Sequence, residues 1–442
     1  LELKRLFTDP ICALATARGV SAIATVRCSG ERILERLLPL LERPDKPKPR
    51  RIYLTSFKAK GEFLDEILFV YFQAPASYTG EEMVELSFHG NPIIIDRAME
   101  ALLEAGFRQA LPGEFTRRAV LNGKIDLPKA EAINAMITSR SETALDVARR
   151  SYVEGISKEI SIFREEIIRL LATIEVELNY PDEVETDYKD LGEKLNDLSE
   201  SISAFIESAS KGLRIAQGIK TVIVGETNVG KSTLLNALLR RDRAIVSDIP
   251  GTTRDTIEED LSINGVLFRV IDTAGIRASN DAIEEMGIQR SLKAIEDADL
   301  LILLSDPAGD PGYLQKIDLE GKRVIRAANK SDIRQIDGAG YDVVISARTG
   351  QGLASLEKLM VEKTVDLTSI GEQIIVSARQ RVCLQECLRY LHQSLEAIEE
   401  RVTIDIVSTL VESAAKSLDE LLGRNLTEDL LDRIFSDFCV GK

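Results

Sequence analysis

The stretch Gly225-Glu226-Thr227-Asn228-Val229-Gly230-Lys231-Ser232 constrains this chain more than any other. The apolar run Thr221-Val222-Ile223-Val224 precedes it and reads as a buried strand, and Thr233-Leu234-Leu235-Asn236-Ala237-Leu238-Leu239 follows it and reads as a helix. Strand, glycine loop and helix together are the setting in which G-x-x-x-x-G-K-[ST] cradles phosphate. The glycines let backbone N–H groups close on phosphate oxygens, and the helix N-terminus adds its partial positive charge. Lys231 is then expected to reach the β- and γ-phosphates, and Ser232 to hold Mg²⁺.

A chain of 442 residues implies two or three domains, each able to bury a core. With 29% charged and 44% apolar residues it reads as soluble and globular, and no apolar run approaches the ~20 residues of a membrane span. The N-terminus has no signal-peptide pattern, and Leu1 in place of Met suggests a processed or engineered start. Cys12, Cys28, Cys383, Cys387 and Cys439 lack metal-site spacing and read as reduced thiols of a cytoplasmic protein. Net charge is −16, which excludes an overall basic coat for nucleic acid. Residues 1–124 nevertheless carry 18 Lys+Arg against 16 Asp+Glu, so a polyanion would bind locally and with salt sensitivity.

Residues 1–124 read as α+β, with strands at Ile11–Thr16, Ser21–Arg27, Ile52–Phe57 and Ile67–Phe72 and helices at Glu31–Leu41 and Ile93–Ala105. From Leu127 the pattern becomes helical. Ile156, Ile160, Phe163, Ile167, Leu170, Ile174 and Leu178 recur at three- and four-residue steps, which predicts a long amphipathic helix stopped by Pro181. A second helix runs to about Gly212, and helical texture returns in Val382–Glu399, Ile404–Leu422 and Glu428–Phe438. The expected division is an α+β domain (1–124), a helical domain in two parts (125–213 and 373–442), and an α/β domain inserted between them (214–372).

The inserted segment alternates strand and helix signals, which predicts a mostly parallel sheet whose functional loops sit at the carboxyl ends of its strands. Gly251-Thr252-Thr253-Arg254-Asp255 follows the first helix, and Thr253 suits completion of the Mg²⁺ shell and sensing of the γ-phosphate. Asp272-Thr273-Ala274-Gly275 closes the strand Leu267–Ile271, with Asp272 acting on Mg²⁺ through water and the Gly275 N–H on the γ-phosphate. Asn329-Lys330-Ser331-Asp332 follows Val324–Ala328, and a carboxylate there can accept from the guanine ring N–H and exocyclic amine. Ser346-Ala347-Arg348 follows Val343–Ile345, and its backbone can read the guanine carbonyl. These five signals in order predict GTP binding.

Ile276 stands where a water-orienting glutamine is frequent, so a residue of the acidic tract Asp281, Glu284 and Glu285 is the candidate for that task. Asn228 is placed to help hold a monovalent cation with carbonyls of the Ser247–Gly251 loop. The competing reading is a local hydrogen bond that shapes the loop.

Taken with Ala15–Gly19, Tyr78–Glu85, Pro112–Ala119, Asn122–Leu127 and the terminal Phe438-Cys439-Val440-Gly441-Lys442, the chain resembles the MnmE (TrmE) family of tRNA-modification GTPases, within the TrmE-Era-EngA-YihA-Septin-like P-loop class. The resemblance runs nearly end to end. It implies a multidomain architecture: a tetrahydrofolate-binding and dimerising α+β domain, then a Ras-like GTPase domain inserted into a helical domain. It implies a cytoplasmic homodimer, without a membrane association, that hydrolyses GTP to GDP and phosphate with Mg²⁺ and K⁺. With the flavoprotein MnmG (GidA), in a heterotetramer or larger complex, it would add an aminomethyl or carboxymethylaminomethyl group to carbon 5 of the wobble uridine of certain tRNAs. The one-carbon unit would come from 5-formyl- or methylene-tetrahydrofolate.

Carried over by position, Asn228, Val229, Gly230, Lys231, Ser232, Thr233, Ser247, Thr252, Thr253, Asp272, Thr273, Ala274, Gly275, Asn329, Lys330, Asp332, Ser346, Ala347 and Arg348 become GTP contacts. Ser232 and Thr253 become Mg²⁺ ligands, and Asn228 with backbone carbonyls of Ser247 and Ile249 the K⁺ ligands. Glu284 becomes the acid that positions water through a second water, beside Lys231. Arg27, Glu85, Lys124 and Lys442 become folate contacts. Cys439 becomes a catalytic thiol, with a small buried apolar side chain in a docking tail as the competing reading. His89 falls within the folate-domain motif, structural or functional. The chain departs from the family pattern at Pro10, usually threonine, and Val440, more often isoleucine. A ribosome-assembly type of GTPase, without one-carbon chemistry, would share every signal of residues 214–372.

Overall fold

Period-two burial defines the first sheet: in Glu62–Phe72, Asp65, Ile67, Phe69 and Tyr71 are buried while Glu66 and Leu68 are exposed. The computed structural model describes residues 9–42, 46–180, 188–226, 228–242, 258–272, 293–306, 319, 321–365, 376–425, 427–436 and 438–441, without the side chains of 210, 211, 213, 242, 258 and 272. It has two compact units, one of Leu1–Asn134, Ile160–Ile168 and Glu412–Lys442, the other of Ala135–Glu159 and Arg169–Val411. The chain combines α+β, α/β and all-helical parts.

The first unit holds strands β1 (Ile11–Leu14), β2 (Ser21–Gly30), β3 (Ile52–Ala59), β4 (Glu62–Phe72), β5 (Glu82–Gly90) and β6 (Arg108–Gln109), in the order β3-β4-β5-β2-β1-β6. All neighbours are antiparallel except β1 and β6. Helix α1 (Ile33–Leu37) is shorter than the expected Glu31–Leu41, because Pro39 turns the chain into a single 3₁₀ turn at Leu38–Leu40. Helix α2 (Pro92–Glu104) starts where Asn91 accepts from the Ile93 N–H and Pro92 presets the first helical position. Phe57 and Phe88 meet edge to face at 5.1 Å in the core beneath it.

Helix α3 (Glu114–Leu121) buries charge. Glu114 and Arg118 are each 1% exposed. Arg118 reaches Glu114 Oε1 (2.8 Å), Glu81 Oε2 (3.0 Å) and the Asp9 carbonyl (2.8 Å). Arg108 grips both Glu114 oxygens, at 2.7 and 3.0 Å, and the Leu111 N–H donates to Oε2 at 2.9 Å. Burial alone raises the Glu114 carboxyl, but the hydrogen bonds from Arg108, Leu111 and Arg118 outweigh it and hold the group below its ordinary value. Leu127, Ala130 and Val120 pack with Leu431, Phe435 and Phe438, the last two in and just beyond a terminal helix (Glu428–Phe435) capped by Thr427. That helix ends short of the expected Phe438.

In the second unit, β7 (Ile219–Val224), β8 (Glu258–Ile263), β9 (Val266–Asp272), β10 (Leu300–Ser305), β11 (Arg323–Ala328) and β12 (Val343–Val344) run in the order β12-β11-β10-β7-β9-β8. Every pair is parallel except the β8–β9 hairpin. Asn264 and Gly265 both take positive φ in its turn, as a two-residue hairpin requires. The Thr143 hydroxyl and N–H both donate to the Gly265 carbonyl, and Arg140 pairs with Asp260 at 2.7 Å, so the helix Glu142–Val153 is fastened to this hairpin. The long helix spans Ile156–Asn179, with the expected stripe buried except for Leu178, which is exposed. The next helix, Tyr188–Gln217, continues past Gly212 almost to β7. The expected stop at Pro181 lies outside the described residues.

Because the folded-state Glu114 carboxyl lies below its ordinary 4.5, its stabilisation is present above that pH and is lost as pH falls through the lower folded-state value. Glu114→Gln should cost about 3 kcal/mol at pH 7 by removing the buried carboxylate that Arg108 and Arg118 share. Denaturant titrations across pH should show the gap from the unmodified protein closing below pH 4.5. A gap independent of pH contradicts this.

Candidate functional site

The loop Gly225–Gly230 leaves the carboxyl end of β7 between β10 and β9, where the sheet changes direction of growth. A Cβ at Gly225 would sit 2.2 Å from the Leu304 carbonyl oxygen, so only glycine fits there. Asn228 and Gly230 have φ of +66° and +98°, left-handed conformations that turn backbone N–H groups toward a concave side. A helix (Lys231–Asp242) then starts, presenting its N-terminus with Ser232 and Thr233 exposed. Lys231 is 8% exposed, and its Nζ donates to the Gly225 and Glu226 carbonyls at 2.9 and 2.7 Å. Ammonium, N–H groups and helix end thus converge, a donor set that fits the phosphates of a nucleotide, and Ser232 adds the kind of hydroxyl oxygen that an adjacent Mg²⁺ would need.

Two further loops meet this one. Buried Asn329 donates from Nδ2 to the Val229 carbonyl (2.7 Å) and accepts at Oδ1 from the Ala347 N–H (2.9 Å), joining the phosphate loop to the Ser346–Arg348 turn. A Cβ on Gly230 would lie 2.6 Å from Asn329 Nδ2, so the second glycine also makes room for this tie. Buried Ser346 donates to Asp332 Oδ1 at 2.7 Å and orients an exposed carboxylate. Lys330, with φ of +72°, pairs with Asp306 at 3.0 Å just past the end of β10. Of the Ser346–Arg348 backbone expected to read a guanine carbonyl, the Ala347 N–H is engaged by Asn329 here, so its use for that carbonyl requires sharing or exchanging this bond.

The structure therefore assembles Asn228, Val229, Gly230, Lys231, Ser232, Thr233, Asn329, Lys330, Asp332, Ser346, Ala347 and Arg348 at neighbouring strand ends. Asp272 ends β9, where Ile223 pairs with its backbone. Ser247, Ile249, Thr252, Thr253, Thr273, Ala274, Gly275 and Glu284 lie outside the described residues, as does Lys442. Sequence reasoning missed Asp306. Its position after the apolar run Leu300–Leu304 is the signal that marks it, since strand ends carry the functional loops.

A second constellation lies in the other unit. Arg27 Nε and Nη2 donate to Glu85 Oε1 at 3.0 and 2.8 Å across the β2–β5 pair, and Nη1 donates to the Gly441 carbonyl at 3.2 Å. The guanidinium carbon lies 5.9 Å from the Tyr78 ring centre and 5.8 Å from that of Phe115. Lys124 donates to the Pro75 carbonyl at 3.0 Å and flanks Gly80, in the same β4–β5 loop as Tyr78. Cys439 is exposed, which removes the reading of it as a buried apolar plug. His89 Nδ1 contacts Asp65 at 2.7 Å, with its ring largely exposed.

Two family models match the chain: "GTP-binding protein TrmE N-terminus" over residues 10–124 and "MnmE helical domain" over 127–439. A protein of Thermotoga sp. (strain RQ2) described as tRNA modification GTPase MnmE is 40% identical, across 98% of this chain and 100% of its own. Proteins with the same description from Petrotoga mobilis (40% identical; 99% and 100% covered) and Fervidobacterium nodosum (41%; 98% and 98%) are similar to it as well.

Asn329→Ala removes two buried hydrogen bonds and strands the Val229 carbonyl and Ala347 N–H, a loss of about 3 kcal/mol. Guanine-nucleotide affinity, read by fluorescence titration, should fall roughly a hundredfold. Unchanged affinity would show that the tie does not shape the site.

Proposed function

The chain belongs to the MnmE family of tRNA modification GTPases, and from that premise we propose that it hydrolyses GTP and takes part in tRNA modification. The observation carrying this reading is the Asn329 tie, which sets a phosphate loop and a candidate guanine-reading turn at one fixed spacing. In the proposed cycle, Lys231 exchanges the Gly225 and Glu226 carbonyls for phosphate oxygens. Asp332, oriented by Ser346, accepts from the guanine ring N–H and amine. Ser232 and Thr253 would hold Mg²⁺, which when bound would supply neutralisation of charge on the phosphates. Asn228, whose exposed side chain stands on the phosphate loop, would hold K⁺ with carbonyls of Ser247 and Ile249, and Glu284 would position water.

The Arg27–Glu85 site fits a one-carbon tetrahydrofolate, with Lys124 and Lys442 as further contacts: it offers a cation between two aromatic rings, a carboxylate, and a glycine-bearing tail. The sheet face around it supports a homodimer. Cross-strand register puts Ile52, Val70, Glu85 and Arg27 in one row and Leu54, Leu68, Ser87 and Thr25 in the next. Ile52 and Leu54 are more than 60% exposed, an apolar surface that a second copy would cover. The flavoprotein MnmG is the proposed partner for modifying the wobble uridine, and the cytoplasm the proposed compartment. Among the described residues no helix is long and apolar enough to cross a membrane.

In cells lacking this chain, nucleoside analysis of total tRNA should show loss of the aminomethyl-type groups at wobble uridine and their return when the chain is restored. An unchanged nucleoside profile would favour the ribosome-assembly reading. For the purified protein, GTP turnover in potassium should exceed that in sodium by roughly a hundredfold, the scale of one stabilising charge contact in a transition state. Asn228→Ala should abolish the difference. Equal rates in both salts before substitution would remove the cation from the mechanism.

A further inference from the structure

The last residues of the chain are seated by contacts that lie outside both the nucleotide loops and the Arg27–Glu85 pair itself. Arg117, on α3 and 4% exposed, pairs through Nη1 with Asp432 Oδ1 on the terminal helix. One turn earlier, Gly113 has φ of +64°, and a Cβ there would stand 2.8 Å from both Phe435 Cδ1 and Phe438 Cβ. The two phenylalanine rings, 4.8 Å apart and buried, therefore press directly on the backbone that starts α3. The Gly113 N–H donates to the Cys439 carbonyl at 3.2 Å. Gly441, with φ of +92°, lies so close to β1 that a Cβ would come within 2.4 Å of the Leu14 carbonyl oxygen. Its own carbonyl then accepts from Arg27 Nη1.

We propose that Arg117 and Asp432 are positioning residues whose ion pair latches the terminal helix onto α3, so that Gly441 meets Arg27 and the Cys439 thiol is presented beside the Arg27–Glu85 site. This rests on the reading of that site as the one-carbon site. The order of contacts along the chain gives the argument its direction. Asp432 fixes the helix, Phe435 and Phe438 fill the space that Gly113 leaves open, and only then does the tail reach Arg27. Asp432 supplies a charge-assisted contact to the buried guanidinium of Arg117, so losing Asp432 weakens the docked arrangement. The site is thus completed by residues more than four hundred positions away from β2 in sequence.

The test uses the full-length protein with Asp432→Ala, Asp432→Glu and, as an independent release of the tail, Gly441→Ala. Hydrogen–deuterium exchange across residues 432–441 should accelerate about tenfold in Asp432→Ala and Gly441→Ala, and stay near the unmodified rate in Asp432→Glu. Affinity for 5-formyltetrahydrofolate, the probe, should fall about tenfold in the first two. GTP turnover, carried by the other unit, should not change. Unchanged exchange in both releasing variants overturns the latch. Failure of the unmodified protein to bind the probe overturns the one-carbon reading instead, and the exchange rates then decide the latch by themselves.

Discussion

Two hydrogen bonds from a single buried amide hold the nucleotide site together. Asn329 reads as a base-contacting residue in the motif, yet its described partners are the Val229 carbonyl and the Ala347 N–H. A flexible loop that must bind an anion loses affinity to the entropy of ordering itself. A loop already fixed by a buried amide does not. The same side chain dictates its surroundings: Gly230 has no Cβ because Asn329 Nδ2 lies 2.6 Å from where one would stand. Breaking either bond strands a backbone group in a buried place, so the tie is costlier to lose than its net gain suggests.

The Arg27 site obeys a similar logic with charge in place of an amide. Glu114, Arg118, Arg108 and Glu81 form an ionic network around the buried Glu114–Arg118 pair at the start of α3, joined by backbone groups of Asp9, Gln109 and Leu111. Such a network adds little net stability over an apolar core, but removing one member is severe, so it fixes geometry more than it stabilises. What it fixes is the segment Gly113–Arg118, which receives the terminal helix and lies alongside the aromatic flank of Arg27.

Much of this was legible in the sequence. Strand β7, its glycine loop and its helix are readable because parallel strands buried on both faces are continuous apolar runs and the loop has a fixed chemistry. The stripe from Ile156 to Ile174 is readable because its period is 3.6. Strand β5 went unread: Glu82–Gly90 mixes glutamate, serine and histidine on the face that carries Glu85, and that polar face holds the Glu85 ion pair with Arg27. The start of α3 went unread as structure for the same reason. Glu114, Arg117 and Arg118 look like a solvated helix face, and only the three-dimensional arrangement shows their partners in Glu81, Arg108 and Asp432. Helix ends were set by details no periodicity carries, such as Pro39 after α1.

The central claim is that the loops joined by Asn329 form a pocket selective for guanine. Competition of GTP and ATP against a fluorescent guanine nucleotide on the purified full-length chain tests it most directly. The account predicts that GTP displaces the probe at concentrations on the order of a thousandfold lower than ATP, because a fixed carboxylate that pairs with guanine faces the wrong hydrogen-bond pattern in adenine. Displacement by both nucleotides at similar concentrations would contradict it.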